Sequence, residues 1–383
     1  MKAQGPMTKA QWPEVALEGV ADLNPRLPEK LTATDQVAFV PMASVSAETA
    51  RVTVEETRAY SEVAKGYTSF LSGDVLLAKI TPCFENGKIA QALLSKRVGF
   101  GSTEFHVIRP HADKLDGRYT HHFLRLDSVR LAGERRMTGS GGQRRVPENY
   151  LAKLAIPLPP LAEQRRIAEV LDRAEALRAK RRAALAQLDA LTQSLFLDLF
   201  GDPRKKSSTG NTPTKPRLLG DLTRIRTGKL DANAADADGA HPFFTCAVEP
   251  LRINTPAFDC KAVLVAGSGD LNVKYFEGKF NAYQRTYVIE CLDESVLVPK
   301  FLYAFLDLYV SELRKQAIGG VIKYIKLPYL TDAVVQLPTD EWQREFARRV
   351  TAVESLKTAQ RASLAELDAL FATLQHRAFR GEL

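Results

Sequence analysis

The sequence is poor in the features that mark secreted, membrane-spanning and zinc-binding proteins. Its start, MKAQGPMTKAQWPE, has no apolar run that could act as a signal peptide. No later segment approaches the roughly 18 apolar residues of a membrane span. The four cysteines, Cys83, Cys246, Cys260 and Cys291, lie far apart and form no CxxC pair, whereas zinc sites and disulfide frameworks need closer spacing. We therefore expect a cytoplasmic protein with incidental thiols and no contact with a membrane.

The sequence also lacks the motifs of common catalytic and nucleotide-binding sites. It contains no Asn-Pro-Pro motif of the kind that DNA methyltransferases use, and neither HExxH nor GxSxG. The glycine-rich stretches TGSGGQ, from Thr138, and AGSGDLN, from Ala266, match neither GxGxxG nor the P-loop. His121 and His122 are adjacent, so they point apart on a regular helix or strand. These absences predict a chain with no catalytic residues, no metal and no cofactor of its own.

Positive charge is present in excess and is concentrated in one region. The 383 residues carry a net charge of +8. The stretch from Arg125 to Arg182 has 14 Lys or Arg against 7 Asp or Glu and accounts for +7. Its non-helical part has four arginines that flank glycines rather than acids: Arg135, Arg136, Arg144 and Arg145. Clustered cations are typical of proteins that bind a polyanion. A surface turn whose arginines pair with nearby acids is an equal alternative.

The most informative feature present is an internal repeat. At an offset of 179 residues and without a gap, 17 of the 43 positions from Leu158 to Phe200 are identical to those downstream. The segments before this region match more loosely. GDVLLAKITP, from Gly73, is similar to KAVLVAGSGD, from Lys261, and HHFLRL, from His121, is similar to YAFLDL further on. We interpret the chain as a tandem duplication, in which one frame carries two divergent inserts.

Each repeat ends in a predicted long helix. Strong helix formers fill both segments, and neither Gly nor Pro interrupts them. About 38 residues at about 1.5 Å per residue give a rod of about 57 Å. Apolar residues recur at alternating steps of four and three, as in the seam of a coiled coil. Arg181 and Gln360 occupy equivalent seam positions, where a polar residue either determines register or is merely tolerated. The leucines predicted to pair the helices are Leu177, Leu188, Leu191 and Leu195, with Leu356, Leu367, Leu370 and Leu374.

The two helices are the natural partners of each other. An isolated amphipathic rod would leave an apolar stripe in water, and both copies belong to one chain. Two related halves tend to pack about a pseudo-twofold axis, which makes the helices antiparallel and places the inserts at opposite ends. The expected fold is therefore α+β, with two α/β domains separated by two long antiparallel helices.

Two stretches of the sequence resemble a known family. IPLPPLAEQRRIAEVLD, from Ile156, is followed by a Leu-spaced helix and occurs twice, as in the specificity subunit of a type I restriction–modification system. SGDVLLAKITPCFENGKIA, from Ser72, is similar to part of a target recognition domain of that family. The second copy of the first motif is reduced to QLPTDEWQR, a departure that affects the symmetry of partner docking rather than the architecture.

The resemblance implies a non-catalytic subunit with two target recognition domains, each of which reads one half of a split double-stranded DNA sequence. It also implies two methyltransferase subunits as partners, which bring S-adenosylmethionine. Nuclease–translocase subunits that bring ATP and Mg may join them. The predicted segments are a first target recognition domain (1–155), a spacer helix (156–200), a linker (201–216), a second target recognition domain (217–334) and a C-terminal spacer helix (335–383).

Candidate DNA-binding residues come from loops rich in polar and basic side chains. Asn and Gln suit adenine and Arg suits guanine, whereas Lys and Arg also bind phosphates. In the first half we select Lys79, Thr81, Asn86, Lys88, Gln143, Arg144 and Arg145. In the second half we select Ser268, Asn272, Lys274, Tyr283, Gln284, Arg285 and Lys323. We expect Arg144 and Arg145 to contact phosphate or guanine.

One other function explains the repeat without DNA. A coiled-coil scaffold could present two divergent protein-binding adaptor domains, and its basic charge would then have no function. This alternative does not explain why the charge is concentrated where a glycine-rich loop precedes the long helix. A specificity subunit of another restriction class that shares the same frame also remains open.

Overall fold

Two very long helices stand out in the computed structural model, which describes residues 12–140, 142–205 and 210–383. In chain order the described helices are α1 (Tyr60–Val63), α2 (Gly117–Leu124), α3 (Asp127–Glu134), α4 (Glu148–Ala152), α5 (Leu161–Phe200), α6 (Leu219–Leu222), α7 (Pro299–Gln316), α8 (Pro328–Thr331) and α9 (Asp340–Ala378). Helix α5 has 40 residues and α9 has 39. Both agree with the two uninterrupted runs of strong helix formers.

The strands are short, and most pair in antiparallel fashion. The first twelve are β1 (Glu14–Ala16), β2 (Ala21–Leu23), β3 (Gln36–Val40), β4 (Val45–Ser46), β5 (Arg51–Val52), β6 (Glu56–Ala59), β7 (Thr68–Leu71), β8 (Val75–Ala78), β9 (Ile89–Gln91), β10 (Val98–Gly101), β11 (Phe105–Pro110) and β12 (Ala155–Pro157). The rest are β13 (Thr214–Leu218), β14 (Thr223–Thr227), β15 (His241–Phe244), β16 (Leu251–Ile253), β17 (Phe258–Ala266), β18 (Val273–Ala282), β19 (Thr286–Cys291) and β20 (Val334–Pro338).

The chain folds as two units. Unit 1 comprises Met1–Arg182 with Ser363–Leu383, and unit 2 comprises Ala183–Ala362. Each unit therefore holds a globular head, one part of α5 and one part of α9. The long helices are not domains of their own, because each end of each helix packs into the hydrophobic core of a head.

The two heads share a sheet frame. In unit 1 the sheet order β2-β11-β8-β9 accompanies a second sheet, β6-β3-β10-β7. In unit 2 a single six-stranded sheet has the order β14-β19-β17-β18-β15-β16. Strand β8 pairs with β11 so that Val75 lies opposite Ile108, and β17 pairs with β19 so that Val263 lies opposite Ile289. Val75 and Val263 occupy matching positions of the loose repeat, and the α+β fold with two related units is confirmed.

A buried glutamine joins each long helix to its head. Gln164, in the first turn of α5, is fully buried. Its side-chain amide donates to the carbonyls of Pro159 (2.8 Å) and Lys114 (2.9 Å), and its oxygen accepts from the Asp116 N–H (2.8 Å). Buried polar groups are costly unless they are hydrogen-bonded, and this side chain satisfies three backbone groups at once.

Unit 2 contains the same three hydrogen bonds around an equivalent glutamine. Gln343, 179 residues after its counterpart, is also fully buried in the first turn of α9. Its amide donates to the carbonyls of Val296 (2.9 Å) and Pro338 (3.0 Å), and its oxygen accepts from the Val298 N–H (2.9 Å). The glutamine in the Pro-led motif is thus the residue that attaches each helix to its head.

The end of the other helix packs on the same head. In unit 1 the ring of Phe379, just after α9, lies 4.9 Å from that of Tyr119 in α2. In unit 2 the ring of Phe200, the last residue of α5, lies 5.0 Å from that of Phe301 in α7. Phe200 and Phe379 are again 179 residues apart. Each head therefore receives the start of one long helix and the end of the other.

Within each unit the two helical segments are antiparallel and are joined by an ion pair. In unit 1 Arg178 donates to Asp368 at 2.6 Å, and further toward the start of α5 Arg166 reaches the carbonyl of Leu383. In unit 2 Lys357 contacts Asp189 at 2.7 Å. The two pairs are related by the offset of 179, so the repeat places the same contact in both units.

The predicted leucine seam differs from the structure at half of its positions. The exposed fractions of Leu177, Leu191, Leu356 and Leu370 lie between 43% and 54%. The neighbouring residues Arg178 and Lys357 lie in the interface instead, where Asp368 and Asp189 pair with them. A search for apolar periodicity passes over charged residues. It therefore predicts Leu177 and Leu356 for the seam instead of their neighbours Arg178 and Lys357. The predicted leucines that are half-buried are Leu188, Leu195, Leu367 and Leu374.

Three predicted segment boundaries fall inside strands. The boundary at 155/156 lies within β12, and the boundary at 334/335 lies within β20. The predicted linker, 201–216, ends inside β13, which pairs with β20. Pro216 and Pro338 take part in this pairing, because proline is tolerated in an edge strand. Residues 206–209 of that linker lie outside the described residues.

A matched pair of substitutions tests which leucines of α5 are packed. Leu171 is fully buried and Leu177 is 54% exposed, and both lie on the unit 1 part of α5. We expect Leu171→Ala to reduce the free energy of unfolding by about 2–4 kcal/mol, because it leaves a cavity. Leu177→Ala should cost less than about 1 kcal/mol. Urea denaturation of both variants measures this difference, and equal costs would contradict the burial of Leu171 and the exposure of Leu177.

Substitution of Gln164 should destabilise the backbone to which its side chain is hydrogen-bonded. Gln164→Leu removes three hydrogen bonds and leaves the buried backbone groups without partners, at a cost of about 1–3 kcal/mol for each group that water cannot reach. We expect faster hydrogen–deuterium exchange at the Asp116 amide and lower stability. Gln187→Leu, at an exposed position of α5, is the control. Unchanged exchange at Asp116 in the Gln164 variant would show that this attachment does not determine local stability.

Candidate nucleic-acid interface

Each unit presents two loops that lie side by side. The first loop follows a central strand of the sheet: residues 79–88 in unit 1 and residues 267–272 in unit 2, named strand loop 1 and strand loop 2. The second loop is a hairpin that precedes a short helix: residues 138–145 in unit 1 and residues 318–324 in unit 2, named hairpin 1 and hairpin 2. Gly141, in hairpin 1, lies outside the described residues. The structure thus brings together loops that are far apart in sequence.

Backbone hydrogen bonds join the two loops of unit 1. The Thr81 N–H donates to the Arg144 carbonyl (2.9 Å), and the Val146 N–H donates to the Lys79 carbonyl (2.9 Å). Arg145 also forms an isolated antiparallel β-bridge with Ile80 of strand loop 1. The hairpin is thus an extension of the sheet and has a defined position.

The same hydrogen bonds recur in unit 2. The Gly269 N–H donates to the Lys323 carbonyl (2.9 Å), and the Ile325 N–H donates to the Gly267 carbonyl (2.9 Å). Tyr324 forms an isolated antiparallel β-bridge with Ser268 of strand loop 2. The hairpin residues follow their unit 1 counterparts at the offset of 179, and the strand-loop residues follow theirs at the looser offset of 188. Two equivalent loop pairs are therefore built on the shared frame.

The side chains of strand loop 1 that are predicted to bind DNA differ in whether they already form hydrogen bonds within the chain. Asn86 is exposed, and its side chain has no partner in the described part of the chain. Thr81 donates to Glu85 (2.7 Å), and the Lys88 ammonium donates to the Met42 carbonyl (3.1 Å). Lys79 is half-buried. Asn86 is thus the side chain of this loop that is most available to a ligand.

The arginines of hairpin 1 pair with acids. The guanidinium of Arg145 donates twice to Glu104, at 2.8 and 2.9 Å, and once to the Gln143 carbonyl at 3.1 Å. These hydrogen bonds lower the pKa of the Glu104 carboxyl. Arg144 lies 3.6 Å from Glu85, beyond hydrogen-bond distance. The prediction that Arg144 and Arg145 contact phosphate or guanine stays a prediction, and in the free protein Arg145 already helps to hold the hairpin.

Gln143 and the support beneath the hairpin complete the unit 1 site. The Gln143 side chain is exposed at the tip and is unpartnered among the described residues. Below it, Nε2 of His106 donates to the Val146 carbonyl at 2.8 Å. Burial lowers the pKa of His106, which favours the neutral ring at physiological pH. The tip offers an amide, with a donor and an acceptor, on a stably supported turn.

Three of the predicted unit 2 residues are structural. Ser268 is buried against Cys246. The Asn272 amide donates to the Cys246 carbonyl (2.8 Å), and Lys274 donates to the Asn272 side-chain oxygen. Burial lowers the pKa of Lys274. These hydrogen bonds hold strand loop 2 from within, and the contact of these three residues with bases stays a prediction.

The other predicted residues of unit 2 lie at the surface. Arg285 and Lys323 are exposed, and their side chains have no ion pair or hydrogen bond in the described part of the chain. Gln284 is exposed and donates to Asp231 at 3.2 Å. Tyr283 is half-buried. Arg285 and Lys323 are therefore the two cations among the predicted residues of this unit that are available to a ligand.

A cavity of about 250 Å³ in unit 2 brings Arg285 and Tyr324 together, with Thr227 and Gln284 in its lining. Arg285 directly precedes β19 as Glu104 directly precedes β11, and Tyr324 corresponds to Arg145 at the offset of 179. In unit 1 Glu104 and Arg145 form the bidentate ion pair. The same location is thus closed by a salt bridge in one unit and open in the other. Sequence reasoning missed Tyr324 and Glu104, although the offset of 179 aligns Tyr324 with Arg145.

The described residues hold no group of three or more His, Cys, Asp or Glu placed to bind a metal ion. Within the same described ranges, no helix is long and apolar enough to cross a membrane. The loops instead offer amides, guanidinium groups, ammonium groups and a phenol, which are groups that contact base edges and phosphates.

Comparisons with known proteins give the family. The chain is 41% identical over 162 residues to the EcoDI type I restriction enzyme specificity subunit of Escherichia coli. The aligned residues make up 42% of this chain and 36% of that subunit. It is 40% identical over 157 residues to the EcoEI specificity subunit of Escherichia coli, and the alignment covers 41% of this chain and 26% of that subunit. The chain thus matches about a third or less of the length of these relatives.

Solved structures show the same fold along the whole chain. The type I restriction–modification S subunit from M. genitalium has a TM-score of 0.62 at 15% identity and covers 99% of this chain and 98% of that one. A structure from work on complex assembly and conformational transition of the type I R-M system has a TM-score of 0.60 at 19% identity, with 99% and 100% covered.

The family model described as the type I restriction modification DNA specificity domain matches residues 9–187 and 212–368. These two matches cover most of the chain and confirm both the repeat and the resemblance read from the sequence. The chain therefore belongs to the type I restriction–modification DNA specificity family.

Proposed function

We propose that this subunit reads a bipartite DNA target, one half with the loops of unit 1 and the other half with the loops of unit 2. The observation that carries the proposal is the pair of equivalent loop sites, which share backbone hydrogen bonds but differ in exposed side chains. A common frame suits one mode of approach to the duplex. Different side chains suit two different half-sites.

The side chains available in each unit support different base preferences. Unit 1 offers Asn86 and Gln143, whose amides suit the N6 and N7 edge of adenine. Unit 2 offers Arg285, whose guanidinium suits the O6 and N7 edge of guanine, beside the phenol of Tyr324. We therefore assign base reading to these four residues.

We assign separate roles to the neighbouring arginines of hairpin 1. Arg144 is exposed, and its distance of 3.6 Å to Glu85 marks a weak ion pair that a DNA phosphate can replace. Arg145 makes a bidentate pair with Glu104, the stronger geometry. Arg144 would then contact phosphate, and Arg145 would position the hairpin without touching DNA.

We place the unread gap between the half-sites in α5 and α9. Both helices contribute to both units, and neither contains a Gly or Pro that would allow a bend.

We further propose that two methyltransferase subunits dock on the long helices. Unit 1 exposes Leu177 and Leu370, and unit 2 exposes Leu191 and Leu356. These residues correspond at the offset of 179, so both units offer an equivalent apolar pair to two identical partners. S-adenosylmethionine would arrive on those partners, and ATP and Mg on any nuclease–translocase subunits.

Methylation mapping tests the bipartite target. We expect co-expression with its methyltransferase subunits, in a host without other DNA methylation, to yield one motif of two parts with a constant gap. A continuous motif would contradict the assignment of one half to each unit. Absence of any motif, together with no specific DNA binding by the complex, would instead favour the protein scaffold.

Two single substitutions test the division of the target. We expect Gln143→Ala to relax base preference in one half only and Arg285→Ala to relax it in the other half only. Each bidentate base contact discriminates by about 1–3 kcal/mol, so preference at the affected position should fall about fivefold or more. Binding assays with each half randomised in turn measure this. If either variant altered both halves, the division would be wrong.

A charge-matched pair tests the phosphate contact. Neutralising one phosphate-binding cation reduces the slope of log affinity against log salt by about 0.9. We expect this reduction for Arg144→Gln and none for Arg173→Gln, an exposed arginine of α5 that pairs with Glu169. Equal slopes for wild type and Arg144→Gln would remove Arg144 from the interface.

A further inference from the structure

The tip of hairpin 2 exposes two branched aliphatic side chains. Val321 is fully exposed, and Ile322 is 61% exposed. Single exposed apolar residues are ordinary on protein surfaces. Two adjacent ones at the end of a projecting turn form a small apolar surface that water covers in the free protein.

The shape of the hairpin keeps these side chains outward. Ile318 and Tyr324 exchange backbone hydrogen bonds of 3.0 and 2.8 Å and close the turn. Gly319 has a φ of +118°, and a Cβ there would lie 2.5 Å from the Ile322 carbonyl oxygen. A residue with a side chain would strain this turn. The tip is therefore a defined structure rather than a loosely placed loop.

The equivalent tip in unit 1 has the opposite chemistry. At the offset of 179, Val321 and Ile322 correspond to Gly142 and Gln143. Hairpin 1 thus ends in a glycine and an amide, whereas hairpin 2 ends in hydrocarbon. The two tips cannot read the same features of a base pair.

We infer that Val321 and Ile322 read the 5-methyl group of thymine in the half-site bound by unit 2. This inference rests on the proposed function. A two-stranded β-ribbon fits the major groove, where thymine presents the one apolar group among the base edges. Hydrocarbon side chains have no donor or acceptor, so the methyl group is the feature that they can recognise.

The surroundings of the tip favour DNA as the occupant. Lys323 follows it directly and Lys326 lies three residues beyond, and both are exposed. Their ammonium groups suit phosphates on either side of the groove. A guanine or cytosine edge against the tip would lose its hydrogen bonds to water without replacement. The tip therefore selects for thymine and against G·C pairs at the same position.

Uracil substitution is a direct test, because uracil differs from thymine only by the missing methyl group. Once the target is mapped, each thymine of the unit 2 half is replaced in turn by deoxyuridine. The affinity of the wild-type subunit, in complex with its methyltransferase subunits, is then measured. Burial of one methyl group corresponds to about a fourfold change. We expect a loss of about three- to tenfold at one or two positions and no comparable loss in the unit 1 half.

The double variant Val321→Ser/Ile322→Ser supplies the second arm. Both residues are exposed, so the variant should fold, and circular dichroism checks this. We expect it to bind thymine and uracil duplexes equally at the sensitive positions. Wild-type indifference to uracil, persistent sensitivity in the variant, or a unit 2 half-site made of G·C pairs alone would each overturn the inference.

The outcomes separate this inference from the function on which it rests. Failure of the wild-type complex to bind any specific target would refute the proposed function. Specific binding with no effect of uracil would refute the methyl contact alone. If 2-aminopurine fluorescence reported unstacking at the unit 2 half without uracil sensitivity, the tip would be a wedge between bases and the inference would again be wrong.

Discussion

The structure depends on one buried contact that occurs twice, the attachment of each long helix to a head through Gln164 or Gln343. A glutamine side chain has two donors and one acceptor group, and each of these glutamines uses all of them on backbone atoms. The contact therefore defines both the position of the helix and its rotation about its axis. Rotation of the helix would leave several buried polar groups without partners, so the loops and the seam keep a defined relation to the head.

The shared frame shows how one fold can carry two different sets of exposed side chains. The backbone hydrogen bonds between strand loop and hairpin involve no side chains, so the side chains there can change without loss of the frame. Glu104 and Arg145 close in unit 1 the place that Arg285 and Tyr324 leave open in unit 2. Specificity can thus change at a few exposed positions, while the sheet and the glutamine attachment stay the same.

The sequence predicted the features that recur and missed those that depend on distant partners. The repeat, the long helices and the loops near Lys79 and Arg144 were accessible, because periodicity and glycine content are local signals. The ion pair of Arg145 with Glu104 is not visible in the sequence, because Glu104 lies 41 residues away. The apolar pattern favours Leu177 for the seam, whereas the structure places Arg178 there. Both cases concern charged side chains, whose environment is set by tertiary contacts.

The duplication also explains why the helices have kept more of the repeat than the heads. Each ion pair between the helical segments joins a residue of one copy to a residue of the other: Arg178 to Asp368, and Asp189 to Lys357. Because both copies share one ancestral sequence, a substitution on one helix must still fit a partner on the other helix. The exposed side chains of the hairpin tips, Gln143, Val321 and Ile322, have no such partner among the described residues. The helices stay similar because they bind each other, and the loops diverge because their proposed ligands are two different stretches of DNA.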